Sequence, residues 1–524
     1  MSQNTQALLP VADSSHTSTT PGYNKPVIHK LWHWYQPPGQ KQHWIDTISE
    51  QCYLPMSRVL AGSDPKEIGT VIVNINNILP ERLNYGEKRE VLDNLRKGAE
   101  RGTVEFVGSG KYHPILSKLI QHPVYGKNEV ERQIRLNDEG NREIFGDAWQ
   151  RKGFFPPEMA CSEELIEFLK ELGFEWVVTE DSAYTSNNGG LIPGLEIATV
   201  KGLPVFFRSN YWSNEFTGKM PKKGDYDLEA YIERMANSLT GHVTDFSDRL
   251  SEFELLPKKF PYLLIGYDVE TLGHHIPQYT AEKVYDMLVR ANQKAEVTTP
   301  TRILDKYGKR EVNIVHSSWS TNKEQAREGI TLRLWDHPHN PTHKYMWELM
   351  FNAITVVNET EKLVEEYIKN TSWPKRALHN LVNIWEELNL KESWKEFTYI
   401  FLNYDKINRD IDSPVSEMPP AKQVKNGKIF TGWLTDYFDH ARTRLDEGEH
   451  SCSQWWANPF DGYWSSKNIM RGATQLLGSA YSALKGGRKA RKRLNKPEDT
   501  KPDPSHDLVN KIEQTIRNHE EANR

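Results

Sequence analysis

What most narrows the fold is a repeat of pattern. A short apolar run ends in polar or aromatic residues, a turn and an amphipathic helix follow, and the unit recurs about seven or eight times before residue 342. Residues 153–184 hold one complete unit. The aromatic run 153–155 is stopped by Pro156 and Pro157, which cannot donate to a ladder. Ser162 is placed to cap a helix, Glu163 and Glu164 fall in its first turn, and Leu165, Ile166, Phe168 and Leu169 supply its apolar stripe. Gly173 stops that helix, and 174–179 reads as a second strand ending in Glu180 and Asp181. Strand, helix and strand make a right-handed crossover in a parallel sheet. Glu158 therefore stands at the carboxyl end of a parallel strand, the edge where α/β folds carry their chemistry, although a surface-loop carboxylate would occupy the same position.

The other strands follow in order. Residues 26–32 deliver His33, Trp34, Tyr35 and Gln36 ahead of Pro37-Pro38-Gly39, and 70–75 end in Asn76 and Asn77, with a helix near 87–101. The run 103–108 carries Glu105 in mid-strand, which calls for a polar lumen or a partner: an ion pair closing a barrel, or substrate. Residues 127–146 are helical, and Arg132, Arg135 and Arg142 are expected on a solvated face. Strands at 203–208 and 260–266 follow; the second delivers Asp268 and Glu270, two apart and so on one face of an extended chain. A last strand is expected at 312–316. The pattern predicts a (β/α) barrel over 25–341 behind a flexible leader, 1–24. From 342 helices succeed one another without strands, so a helical unit is expected over 342–485, and the basic, Pro-containing stretch 486–524 is expected to be mobile.

Composition excludes several classes. A net charge of −5 gives no reason to expect nucleic acid, and no apolar run approaches the roughly 18 residues of a membrane span. The polar start has no basic segment followed by an apolar one, so no secretory signal is visible. Cys52, Cys161 and Cys452 are scattered, without C-x-x-C spacing, which argues against a disulfide framework or a thiolate metal site and fits a cytoplasmic protein.

Glycosidic bonds are cleaved by two carboxylates, and closure of a barrel would bring Glu158 and Asp268 to one mouth. On the residues alone, Glu105, Glu180, Asp181 and Glu270 also qualify. Five segments in order resemble glycoside hydrolase family 57: HWYQP at 33–37, GTVEF at 102–106, FFPPEMA at 154–160, GYDVETLGHH at 266–275 and CSQWWA at 452–457. The resemblance implies a (β/α)7-type incomplete barrel followed by an α-helical domain, acting on α-glucans by a retaining double displacement with neither metal nor other cofactor. It implies Glu158 as nucleophile and Asp268 as acid/base. Glu270, on the same face as Asp268, is placed either to raise the Asp268 pKa as a like charge or to orient a backbone turn. Gln454 stands where many members of the family have Asp.

His33, Trp34 and His274 are expected to line the subsite beside the scissile bond, with Gln36 and Glu105 as further contacts. Trp455 and Trp456, with Trp319 and Trp464 behind them, are expected to stack on sugar or to pack in the core. Amylase, 4-α-glucanotransferase and branching enzyme fit equally. Two rivals stand beside this reading. One is a metal-dependent polysaccharide deacetylase, suggested by His337, His339 and His343 in one loop; the other is a non-catalytic glucan-binding protein.

Overall fold

The computed structural model describes residues 26–85, 88–184, 196–240, 262–372, 433–498 and 502–523. The expected leader and the helices expected between 373 and 430 lie outside the described residues. Among the described residues ten strands precede residue 342: β1 (Val27–Trp34), β2 (Val71–Ile75), β3 (Val104–Val107), β4 (Gly153–Phe154), β5 (Trp176–Glu180), β6 (Glu196–Val200), β7 (Leu203–Arg208), β8 (Tyr262–Asp268), β9 (Glu296–Val297) and β10 (Gly308–Glu311).

Seven of them close a ring. β8, β1, β2 and β3 pair in parallel, β4 pairs β5, β5 pairs β7, and β7 meets β8 at Arg208 and Leu264. A parallel bridge between Gly108 and Phe154 joins β3 to β4. The result is a (β/α)7 barrel with two thin seams.

Alternation along the strands decides what faces in. Val27 and Leu31 of β1, Ile72 of β2, Val107 of β3, Trp176 and Val178 of β5, Phe206 of β7, and Tyr262 and Leu264 of β8 fill the lumen. The other parity, including Ile28, Trp32, Trp34, Val71, Val73, Val104, Phe106 and Ile265, meets the outer helices. Among these helices are α1 (Gln42–Ile48), α2 (Arg89–Arg101), α3 (Gly126–Phe145), α4 (Glu163–Glu171), α5 (Leu228–Thr240) and α6 (Ala281–Lys294). The unit at 153–184 forms as its local signals dictate. Ser162 Oγ accepts from the Leu165 N–H at 3.3 Å, Leu165, Ile166, Phe168 and Leu169 are buried, and Gly173 takes φ +81°.

Several expectations need correction. Residues 312–316 are not a strand: the ladder strand is β10, four residues earlier, which pairs in parallel with β6 alone. An edge strand outside the barrel carries charges, here Lys309, Arg310 and Glu311. The apolar run behind it is held instead by single contacts, Val312 N–H to Thr199 and Val315 N–H to Ala183. The hairpin β6–β7 went unread, although Lys201 and Gly202, at φ +52° and +74°, make the two-residue turn that such hairpins prefer. Nor is the face of α3 wholly solvated. Arg132 forms a two-pronged pair with Asp446 at 2.6 and 2.8 Å, and Glu129 pairs with Arg442 at 2.8 Å, both largely buried. Charge periodicity alone cannot tell water from an oppositely charged neighbour.

Beyond the barrel lie α7 (Pro341–Asn370), α8 (Trp433–Gly448), α9 (Ser466–Arg493) and α10 (Ser505–Ala522). A two-residue antiparallel pair, β11 (Ala457–Asn458) with β12 (Tyr463–Trp464), interrupts what reads as purely helical sequence. Within the stretch expected to be mobile, most of the described residues are helical. α9 runs on to Arg493, burying Ala483, Gly486, Gly487 and Ala490, and its last turn of Arg491, Lys492 and Arg493 complements the helix dipole. α10 buries Leu508, Val509, Ile512 and Ile516. These side chains share one core with Met346, Leu349 and Met350 of α7, Leu476 and Ala480 of α9, and Leu165, Ile166 and Val177 on the outside of the barrel. The helical region is thus packed on one flank of the barrel.

Candidate active site

Glu158 follows β4 in the short turn Pro157–Met159, where φ is +59° at Glu158 and +49° at Met159. Left-handed backbone at a residue other than glycine costs about 1–3 kcal/mol and persists only where the surroundings over-determine it. Here they do. Met159 is fully buried in the lumen, and the Glu158 carbonyl accepts from the Trp319 N–H at 3.1 Å. The turn presents the carboxylate to two donors, Trp319 Nε1 on Oε2 and Ser451 Oγ on Oε1, each at 2.9 Å; His113 Nδ1 lies 3.4 Å from Oε1. Burial pushes the Glu158 carboxyl up to about 8; the Ser451 bond opposes this, the charge of Asp268 adds to it, and the Trp319 bond opposes it again.

Asp268 closes β8 on the lumen parity of Tyr262, Leu264 and Gly266, in register with His33 on β1. His33 packs among rings that gather at the strand ends. Its ring stacks on Phe155 at 4.9 Å and tilts against His113 at 4.8 Å, with Trp319 edge-on at 5.9 Å. The Asn74 amide oxygen, 2.5 Å from Nδ1, places the proton on that nitrogen and leaves Nε2 as the acceptor. Burial lowers the His33 pKa against the opposing pull of Asp268 and Asn74.

Below this layer Arg208, buried at the end of β7, donates to Glu180 at 2.8 Å and to the Gly266 carbonyl at 2.7 Å. Its guanidinium lies 5.8 Å from the Trp319 ring. The candidate carboxylate Glu180 is therefore taken by Arg208, and Asp181 accepts from the Asn210 N–H at 3.0 Å.

The remaining expected residues scatter. Trp34 is fully buried on the outward parity, stacked on Tyr53 at 5.1 Å, so it belongs to the core and not to a subsite. Glu270 does not continue an extended chain from Asp268, because Val269–Thr271 turns. Its carboxyl accepts from Tyr53 and from Gln36 Nε2 and is itself pushed up to about 8, by burial and then by Asp268. Gln36 is thereby engaged with Glu270 and Tyr53. His274 is partly exposed and bonded to Gln51 at 2.5 Å. Glu105 lies in the lumen two residues before the end of β3, with both oxygens taken by Thr299 and Thr301 at 2.6 and 2.5 Å. It braces the barrel through hydroxyls and not through an ion pair. Trp455 and Trp456 remain partly exposed, 4.8 Å apart and edge to face, with Tyr463 4.7 Å from Trp455. Gln454 is buried, its amide within 3.0 Å of the His450 carbonyl and 3.3 Å of the Ser451 carbonyl, oriented to donate to both.

In the histidine loop both ring nitrogens of His343 and one of His337 are already engaged. His343 accepts from the His337 N–H at Nδ1 and bonds the Gln454 carbonyl at Nε2, and His337 Nδ1 accepts from the His339 N–H. Among the described residues no group of three or more His, Cys, Asp or Glu is arranged to hold a metal ion. Four site residues went unread: Asn74, His113, Arg208 and Ser451. The first three stand at or just beyond strand ends in polar clusters, a local signal. Ser451 has no such signal.

The family model for glycosyl hydrolase family 57 matches residues 17–316, more than half of the chain, and the protein belongs to that family. The alpha-amylase of Pyrococcus furiosus is 29% identical over 154 residues, covering 29% of this chain and 22% of that protein. Alpha-amylase 1 of Dictyoglomus thermophilum is 24% identical over 281 residues, or 51% of this chain and 38% of that protein. The matches thus span well under half the length of these relatives. Among solved structures, a GH57-type branching enzyme from Pyrococcus horikoshii superposes with a TM-score of 0.55 at 14% identity, covering 94% of each chain, a likeness of fold.

Proposed function

We propose that the protein is a retaining glycosidase or transglycosylase of α-glucans, with Glu158 as nucleophile and Asp268 as acid/base. The observation that carries this reading is the Glu158 turn, a strained backbone held so that two donors aim a largely buried carboxylate at the barrel mouth, close enough to Asp268 to feel its charge. A Glu158 oxygen attacks the anomeric carbon while the bond from that carbon to the leaving oxygen breaks, and Asp268 gives that oxygen a proton. Asp268 then takes a proton from water or from a sugar hydroxyl, whose oxygen displaces Glu158. His33 offers Nε2 to a sugar hydroxyl, and the partly exposed Trp455 and Trp456 supply stacking surface on the acceptor side. Three unpaired cysteines, two of them buried, suit a reducing, cytoplasmic setting.

Incubation with maltoheptaose and, separately, with amylose tests the reading, with products resolved by chain length and linkage over time. Shorter products alone mean hydrolysis; longer chains or new α-1,6 branches mean that sugar intercepts the intermediate. Absence of change in both substrates contradicts the proposal. A chelator is expected to leave the rate unchanged, whereas loss of activity restored by Zn²⁺ would favour the metal-dependent alternative.

A further inference from the structure

Ser451 reaches Glu158 from 293 positions away, from the turn between α8 and the helical segment Cys452–Trp455. It is 1% exposed, and its place is fixed at both backbone and side chain. The Ser451 N–H donates to the His113 carbonyl at 3.2 Å, and Pro114 and His450 form an antiparallel bridge beside it. The Ser451 hydroxyl proton goes to Glu158 Oε1. Its oxygen can therefore only accept from His113 Nδ1, at 3.1 Å, which puts the histidine proton on Nδ1. His113 itself is held at φ +60°, with its ring stacked on Tyr35 at 4.2 Å. Burial keeps that ring neutral, and its Nε2 is buried without a partner among the described residues. The sequence His113 Nδ1–H, Ser451 Oγ–H, Glu158 Oε1 is a one-way chain of donors ending on a carboxylate.

Resting on the reading of Glu158 as nucleophile, we infer that Ser451, braced by His113, is a positioning residue. It orients the Glu158 carboxylate and favours its ionised form, so the nucleophile is complete only when the helical region is docked. A hydrogen bond from a hydroxyl to a carboxylate is stronger than one between neutral groups, and here it opposes burial. Threonine preserves the hydroxyl; alanine leaves Oε1 with no strong donor.

The test is the pH profile of kcat/KM on a 4-nitrophenyl α-malto-oligosaccharide for the full chain, Ser451→Ala, Ser451→Thr and, alongside, Glu158→Gln. Ser451→Ala is expected to lose on the order of 10- to 100-fold at neutral pH and to move the acid limb upward by about one pH unit. Ser451→Thr is expected to restore the parent limb. A structural role alone would lower the rate without moving the limb. If Glu158→Gln is inactive while the Ser451→Ala limb coincides with the parent's, this inference is overturned and the nucleophile stands. If Glu158→Gln turns over normally, both fall. Should Ser451→Ala fail to fold, His113→Phe takes its place, with a smaller shift in the same direction expected and an unmoved limb overturning the inference.

Discussion

As the proposed nucleophile, Glu158 would have to lose a proton to act, and its surroundings disagree about that proton. Burial and Asp268 hold it on; Ser451 and Trp319 draw it off. The balance leaves the carboxyl at about 8, so kcat/KM is expected to rise as pH increases through an acid limb well above the ordinary carboxylate value of 4.5. A limb at or below 4.5 would contradict that. Asp268→Asn is expected to lose far less on substrates with good leaving groups, which need little protonation; an equal loss on all substrates would remove Asp268 from the acid role. The placement of Glu158 and Asp268 at strand ends was legible because each follows an apolar run and barrel closure sends strand ends to one mouth. Trp34 misled because it stands one residue from His33 at a strand end, and neighbouring residues on a strand face opposite ways. What no local pattern could show is the partner of Glu158 on Oε1, since Ser451 reaches it only through packing of the helical region.

Elements carry their own tests. Lys30 lies on the outward parity of β1, fully buried, with Nζ unpartnered among the described residues and 5.8 Å from the Tyr231 ring. Burial lowers its pKa from 10.5 to about 7. Because the unfolded chain holds the proton more tightly, the penalty is fully present below pH 7 and fades as pH rises toward 10.5. Lys30→Met is therefore expected to raise the melting temperature most near pH 6, with the gain shrinking by pH 10; a gain independent of pH would mean that packing, not the charge, is responsible. In α10 the fully buried Ile512 sits in the stretch expected to be mobile. Ile512→Ala is expected to cost about 2–5 kcal/mol by denaturant unfolding, and a cost near zero would show that the helix does not dock. The apolar spacing of Leu508, Val509, Ile512 and Ile516 is present in the sequence, but the basic and Pro-containing run before it carries the signal of a solvated tail. In β10 the error ran the other way: an apolar run suggested a strand, and the edge strand itself was charged.

Over the whole molecule the barrel was legible because its seven units repeat one pattern, and a parallel ring is the arrangement such crossovers allow. The docking of the helices was not, because it rests on pairs such as Arg132 with Asp446 and Arg442 with Glu129, which lie more than three hundred positions apart. On the proposed reading, barrel and helical region together present Glu158 as a nucleophile. The most direct measurement is to trap the glycosyl-enzyme with a 5-fluoro-α-glycosyl fluoride and map the labelled peptide by mass spectrometry. One glycosyl group per chain is expected, esterified to Glu158 and absent from Glu158→Gln. Labelling of another carboxylate, or brisk turnover of the reagent by Glu158→Gln, would contradict it.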